Sequence, residues 1–460
     1  MRTELSHAAA CRAFAMISAL VCGMLTLRLY GQYLEPKSYG IILIALQLVG
    51  YLPFLDGGFR TVLNRRMLAT DSDGEKDSLR RFGQSFYSWL LLAAMACATV
   101  MMLVYFALTR ARDGETVPSF WLFAAIGVAG SLAFFANAQA ALLIGLGAQA
   151  KLFLINGASS WLVLAALWSL LEHSFSYWAF PLSMLAGGIG TLFLAFLAFM
   201  RAGKRFAIFS WQTGESFKSV FHTVKAEAWQ SFRSQLAIFV MMTSDVVLVG
   251  IFCAPEQVAV YGIFSRLIGI TRGLLQSLPE ASWPLIARAR GATHDGFADW
   301  LVHTIAWLHG FAAGGIVILA IPFIQWYMGS AWSAPTSLAV LLTARFLVIG
   351  ASSSASYYFY GTGDFRLLAK LSQREALVAI VLSVLLAPAL GMEGIAMAYL
   401  ASTCAGTFIP MVLAYSSVRH LSASSVFARI WLRAGAGSVL GAVTGFALLE
   451  LANRLFRLTS

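Results

Sequence analysis

Charge is scarce in this chain. Asp, Glu, Lys and Arg make up 12% of its 460 residues, against 59% apolar types. A soluble domain carries about twice that share of charge. With a mean hydropathy of +0.76, the chain reads as one polytopic membrane unit, not two or three soluble domains. Acid is scarcer than base, 21 residues against 32, for a formal net charge of +11. That excess does not point to nucleic acid, because most basic residues sit in short loops between apolar runs. Cysteine is sparse and scattered, at Cys11, Cys22, Cys97, Cys253 and Cys404. No CxxC or His-rich cluster occurs, which argues against disulfides and metal sites. His303 and His309 make no HExxH. There is no GxxxxGK(S/T) phosphate loop, no GxSxG turn and no long extramembrane domain. The chain therefore does not hydrolyse ATP by itself, and neither an enzyme nor a cofactor is expected. No cleavable signal is separable from the first apolar run, which Arg2 and Arg12 precede.

Thirteen apolar runs are present, at 11–33, 38–58, 84–108, 120–143, 153–171, 177–200, 231–253, 257–280, 301–322, 335–359, 374–390, 394–416 and 430–452. Most approach the ~20 residues that a bilayer requires. The expectation is an all-α protein of about 12–14 transmembrane helices. Its parts would be a six-helix bundle over 1–200, a cytoplasmic linker over 201–230, a second bundle over 231–416 and an additional span in 417–460. The basic loops alternate. Loop 60–82 holds Arg60, Arg65, Arg66, Lys76, Arg80 and Arg81, and loop 201–230 holds Arg201, Lys204, Arg205, Lys218 and Lys225. Smaller ones carry Lys151, then Arg288 and Arg290, then Arg366, Lys370 and Arg374, then Arg419 and Arg429. The loops between are poor in Lys and Arg, except 109–119, where Asp113 and Glu115 balance Arg110 and Arg112, and the alternation places the N-terminus in the cytoplasm. An odd span count would leave Arg454 and Arg457 outside, against the same rule.

A weak internal repeat supports two halves. EPKSYGI, with Tyr39-Gly40-Ile41, is echoed by PEQVAVYGI, with Tyr261-Gly262-Ile263. GLGAQAKL from Gly145 is echoed by GTGDFRLLAK from Gly361 at a similar offset. Halves in the same orientation place a substrate path between them.

Ionisable groups within apolar runs are functional candidates, because an unshared charge in lipid is costly. Arg345 lies mid-span in SLAVLLTARFLVIG, too deep to snorkel, so it needs a buried partner or a polar cavity. Asp245 lies in FVMMTSDVVLVG and is either a coupling carboxylate or one satisfied by Thr243, Ser244 or an Arg of the next span. Arg266 and Arg272, six apart in 257–280, fall on different helix faces. Asp56 and Arg60 stand at i and i+4, a local pair at the membrane edge, with Gly57 and Gly58 between them. Arg28 is near enough to the end of its run to snorkel or to face inward. Gly310/Gly314 and Gly437/Gly441/Gly445 allow close helix approach. Trp326, Tyr327 and Trp332 flank an outer loop, as interface aromatics do.

Arg28, the L-x-P-x-x-Y-G turn (Leu34, Pro36, Tyr39, Gly40), the D-G-G at Asp56–Gly58, then Asp245, Gly250 and Tyr261-Gly262, together resemble one family. It is that of the polysaccharide-biosynthesis flippases, within the multidrug/oligosaccharidyl-lipid/polysaccharide exporter superfamily. The resemblance covers roughly the first twelve spans. It implies two six-helix bundles around a central cavity. It also implies movement of a polyprenyl-pyrophosphate-linked oligosaccharide between leaflets of a bacterial inner membrane. The products of such a pathway are O antigen, lipopolysaccharide or exopolysaccharide, with a glycan polymerase and glycosyltransferases as expected partners. Arginine forks suit a pyrophosphate, which nominates Arg28, Arg266, Arg272 and Arg345 as its contacts. Asp56, Arg60 and Asp245 are coupling or structural groups. The membrane potential favours outward movement of negative charge; a cation gradient acting through Asp245 is the rival. Two other readings stand beside this one. A multidrug exporter of the same superfamily would favour carboxylates over Arg. A glycan polymerase or ligase would need a large periplasmic loop.

Overall fold

In the computed structural model, residues 2–113, 118–203, 206–213, 215–288, 292–362 and 365–459 are described. Among them every regular element is a helix, as apolar runs in lipid must be if their backbone groups are to be satisfied internally. Eleven helical stretches are long and apolar enough to cross a membrane. One of these, Arg366–Val418, holds two of the expected spans and is broken between them. At the break Gly391 adopts φ 58°, ψ −136°, which a residue with a Cβ strongly resists. The run expected at 231–253 lies in a longer helix, Glu215–Phe252.

The chain divides into two helical bundles. Unit 1 comprises Met1–Glu35 and Ile42–Leu236, and unit 2 comprises Pro36–Ile41 and Ala237–Ser460. The helices of unit 1 are α1 (Arg2–Tyr33), most of α2 (Pro36–Val49), α3 (Phe59–Ala69), α4 (Asp73–Asp113), α5 (Phe120–Gly145), α6 (Gln149–Glu172) and α7 (Ala179–Arg201). The first half of α8 (Glu215–Phe252) also belongs to it, so 215–230 is helical. Pro36 starts α2 at the first helical turn, where its missing N–H costs nothing. A 3-10 turn, Leu52–Asp56, follows and ends on Gly57 and Gly58, both left-handed (φ 56° and 80°). A Cβ on Gly58 would stand 2.4 Å from the carbonyl oxygen of Ala228, so α8 lies directly on this turn.

The core of unit 1 is aromatic. Phe59 stacks on Phe221 of α8 at 5.4 Å, and Phe82 meets Phe217 at 4.7 Å. Beside this stack Arg66 of α3 donates to Glu227 Oε1 (2.6 Å) and to the Thr223 carbonyl (3.1 Å), while Arg65 bonds Glu227 Oε2. These guanidinium hydrogen bonds, Arg66's foremost, hold the Glu227 carboxyl below the usual carboxylate range.

Unit 2 holds the rest of α8 with α9 (Pro255–Arg288), α10 (Ala292–Met328), α11 (Thr336–Thr362), α12 (Phe365–Ser402), α13 (Ile409–Val418) and α14 (Ala423–Thr459). A π-helical turn, Thr403–Phe408, joins α12 to α13. Helices α10 and α14 meet backbone to backbone. Cβ atoms on Gly310 and Gly314 would lie 2.0 Å from the carbonyl oxygens of Ala434 and Ser438. A Cβ on Gly441 would lie 1.9 Å from that of Phe311. The two glycine rows seen in the sequence thus face each other. The two tyrosines of the repeat are both buried, Tyr39 and Tyr261. The Gly40 beside the first packs on Pro255, with 1.8 Å from a built Cβ to its carbonyl oxygen. Trp326 is exposed as an interface aromatic should be, but Trp332 is buried. It packs edge-on against Tyr39 at 5.6 Å, because tertiary contact outweighs the amphipathic preference of its indole.

Candidate functional site

The mid-span arginine of unit 2 has a partner. Arg345, on α11 inside the span Thr336–Ser353, donates from Nη1 to Asp245 Oδ2 on α8 at 3.2 Å. Both side chains are close to fully buried, 11% and 9% exposed, so neither charge is left to lipid. Nη2 donates to the Met241 carbonyl, one helical turn before Asp245 (3.2 Å). The guanidinium lies 4.5 Å from the centre of the Tyr399 ring, a cation–π contact from α12. Tyr261 of α9 donates its hydroxyl to Asp245 Oδ2 (3.3 Å), and Tyr399 donates to Ser244 Oγ (3.2 Å). Four helices thus converge on one ion pair. Asp245 draws on Arg345 and Tyr261, while the neighbouring Ser244 hydroxyl turns to its own helix at Val240.

A second carboxylate, half-buried, stands close by. Glu375 of α12 accepts hydrogen bonds from Thr403 Oγ1 (2.7 Å) and Thr407 Oγ1 across the π-helical turn. A Cβ on Gly406 would lie 2.6 Å from the Glu375 Cα, so that turn is pressed onto the carboxylate's own helix. Arg345 and Arg272 both act electrostatically on Glu375. Sequence reasoning missed this residue, which follows Arg374 at the edge of a basic loop. Its signal was Thr403 and Thr407, one turn apart and so on one helix face.

Arg272 is half-buried and Arg266 exposed on α9, and Arg28 is exposed on α1 in unit 1. Thr271, beside Arg272, lines an apolar recess of about 670 Å³ between α9, α10 and α14. Its walls include Leu267, Gly315, Phe323, Trp326 and Leu448.

In unit 1 Asp56 is buried, not solvated at the membrane edge. Both its oxygens accept the main-chain N–H of Arg60 (3.2 Å), capping the start of α3, and Tyr87 donates its hydroxyl at 3.0 Å. The i, i+4 relation is present, but it runs through the backbone of Arg60 as well as through its charge. Among the described residues no three His, Cys, Asp or Glu side chains gather as a metal site would require. His309 is buried, with Nδ1 2.9 Å from the Ile305 carbonyl, and Gly350 packs on its ring.

No protein-family model matches the chain, and no curated protein matches it in sequence. Solved structures do match in three dimensions. A lipid II flippase MurJ in an inward closed conformation superposes with TM-score 0.69 at 14% identity, over 96% of this chain and 99% of that one. An inward-facing multidrug resistance MATE transporter of the MOP superfamily gives 0.61 at 14%, over 88% and 96%. A MATE in a bent conformation gives 0.54 at 15%, over 91% and 96%. The fold is the one these flippase and transporter structures share. With eleven helices among the described residues long and apolar enough to cross a bilayer, the chain is a multi-pass membrane protein of that fold.

Proposed function

We propose that this protein is a transporter that flips a polyprenyl-pyrophosphate-linked oligosaccharide across a bacterial inner membrane, its N-terminus in the cytoplasm. The observation that carries the reading is an apolar recess lined by Thr271, whose chain neighbour is the half-buried Arg272. A cation one residue from an apolar recess suits an amphiphile with an anionic head and a hydrocarbon tail. The recess would take part of the isoprenoid chain, and Arg266, Arg272 and Arg345 would bind the pyrophosphate. Arg28 is a further candidate contact on unit 1. Asp245 is read as the counter-charge of Arg345, which favours the membrane potential over a cation at Asp245 as driving force. The fold shared with a lipid II flippase supports a lipid-linked substrate.

A second reading has its own observation. Asp245 is buried and Glu375 half-buried in unit 2, and MATE transporters share the fold. A multidrug exporter would use such acids toward cationic substrates.

One assay separates the two. The purified protein is placed in liposomes with a labelled polyprenyl-pyrophosphate oligosaccharide, and its exposure to an external glycosidase is timed. The expected result is protein-dependent exposure that slows about tenfold or more in Arg272→Ala and Arg345→Ala, since each removes a charge-assisted contact. Efflux of a cationic dye without exposure of the lipid-linked sugar would favour the exporter. Full flipping in both variants would remove these arginines from the site.

A further inference from the structure

At the end of unit 2 opposite the recess, α14 carries two arginines within its apolar span Ala423–Ala452. Arg429 and Arg433 are one turn apart, and both are exposed. The glycine seam decides which way they point. Ala434, Gly437 and Gly441 of α14 lie against the α10 backbone, which fixes the helix's rotation and leaves the arginine flank outside the seam.

Among the described residues no carboxylate forms an ion pair with either arginine. Among the described residues at this end of the bundle, the acid Asp299 is taken by Arg419 Nη2 (3.2 Å) and by the Tyr415 hydroxyl (2.6 Å). The other polar neighbour is His303 of α10, which feels the charge of both arginines and whose Nδ1 is buried with no hydrogen-bond partner among the described residues. Beyond Arg433 the same flank is apolar and exposed, through Leu440 and Val443. Two guanidiniums set at the head of a hydrocarbon-facing strip require an anion that itself carries hydrocarbon.

We propose that Arg429 and Arg433 bind the phosphate of an anionic glycerophospholipid, whose acyl chain lies along Leu440 and Val443. The site is separate from the proposed transport path and holds whichever substrate the protein moves. The arginines reach the headgroup zone by snorkelling, their stems covering apolar surface on the way. The phosphate supplies the negative charge that no described carboxylate gives.

The test uses the full-length protein, delipidated in detergent and titrated with phosphatidylglycerol or phosphatidylethanolamine, with retained lipid counted by native mass spectrometry. Phosphatidylglycerol should be retained in preference. The Arg429→Gln/Arg433→Gln variant should lose that retention by about thirtyfold, from roughly 1 kcal/mol for each basic residue. Phosphatidylethanolamine retention should not change, and Arg454→Gln, at the far end of α14, should match the parent. If the double variant does not fold, Arg429→Gln alone should show about a fivefold loss. Equal retention of the two lipids by the parent, or undiminished phosphatidylglycerol in the variants, would overturn the proposal. So would displacement of the lipid by millimolar inorganic phosphate, or a preference for polyprenyl pyrophosphate at this site.

Discussion

Arg345 and Tyr399 meet face to cation, 4.5 Å from guanidinium carbon to ring centre, while the same guanidinium holds Asp245 at 3.2 Å. The ring takes one side of the arginine and the carboxylate its edge, while Nε is buried with no hydrogen-bond partner among the described residues. Replacing Tyr399 with Phe keeps the ring and loses the bond to Ser244; replacing it with Leu loses both. Tyr399→Leu should therefore destabilise the protein by about 0.5–2 kcal/mol more than Tyr399→Phe, read from unfolding in detergent.

The ion pair itself makes a sharper case. Arg345→Leu or Asp245→Leu alone strands a buried charge and should cost about 3–5 kcal/mol. The double variant should cost less than the sum by about 0.5–3 kcal/mol, because each change then removes the charge that the other would have stranded. Strict additivity in a thermal-unfolding cycle would mean that the two groups do not interact.

Acid should weaken the tie between α3 and α8. Glu227 has its carboxyl held below the usual range by Arg66 and Arg65, so its contribution is fully present above the ordinary carboxylate value. It is lost as pH falls through the lowered folded value. The effect is small, because the pair is partly exposed. The difference in melting temperature between parent and Glu227→Gln should thus be present at neutral pH and close below about pH 4.

At the α10–α14 seam, Gly441→Leu places side-chain atoms where the Phe311 carbonyl stands. Overpacking of this kind costs about 1–3 kcal/mol or more. Val439→Leu, two residues back and exposed, should be tolerated better; proteolysis of detergent-solubilised protein would rank the two.

The spans were legible because twenty apolar residues in a row leave a chain few choices. The glycine rows were legible because their spacing of four matches a helix face. Gly391 fell in the gap between the runs 374–390 and 394–416. Arg345 and Asp245 each stood out as a charge in lipid, yet nothing local joins residues on two helices so far apart in the chain. Tyr261 read as part of a turn motif and proved to be a donor to Asp245. Glu375 was masked by the basic residues before it, since its partners lie on the far side of a helical irregularity that no periodicity announces. The helix over 215–230 was missed because its pattern is amphipathic rather than apolar, so it resembled a charged loop.

A joint built from carbonyl oxygens and glycine Cα atoms has no rotamers to rearrange. Where Gly310 and Gly314 meet Ala434 and Ser438, the interface offers no partly open geometry. Spin labels on the outer faces of these two helices would keep a single, narrow distance through the whole working cycle, and α14 would follow α10 as the second rail of one rigid track.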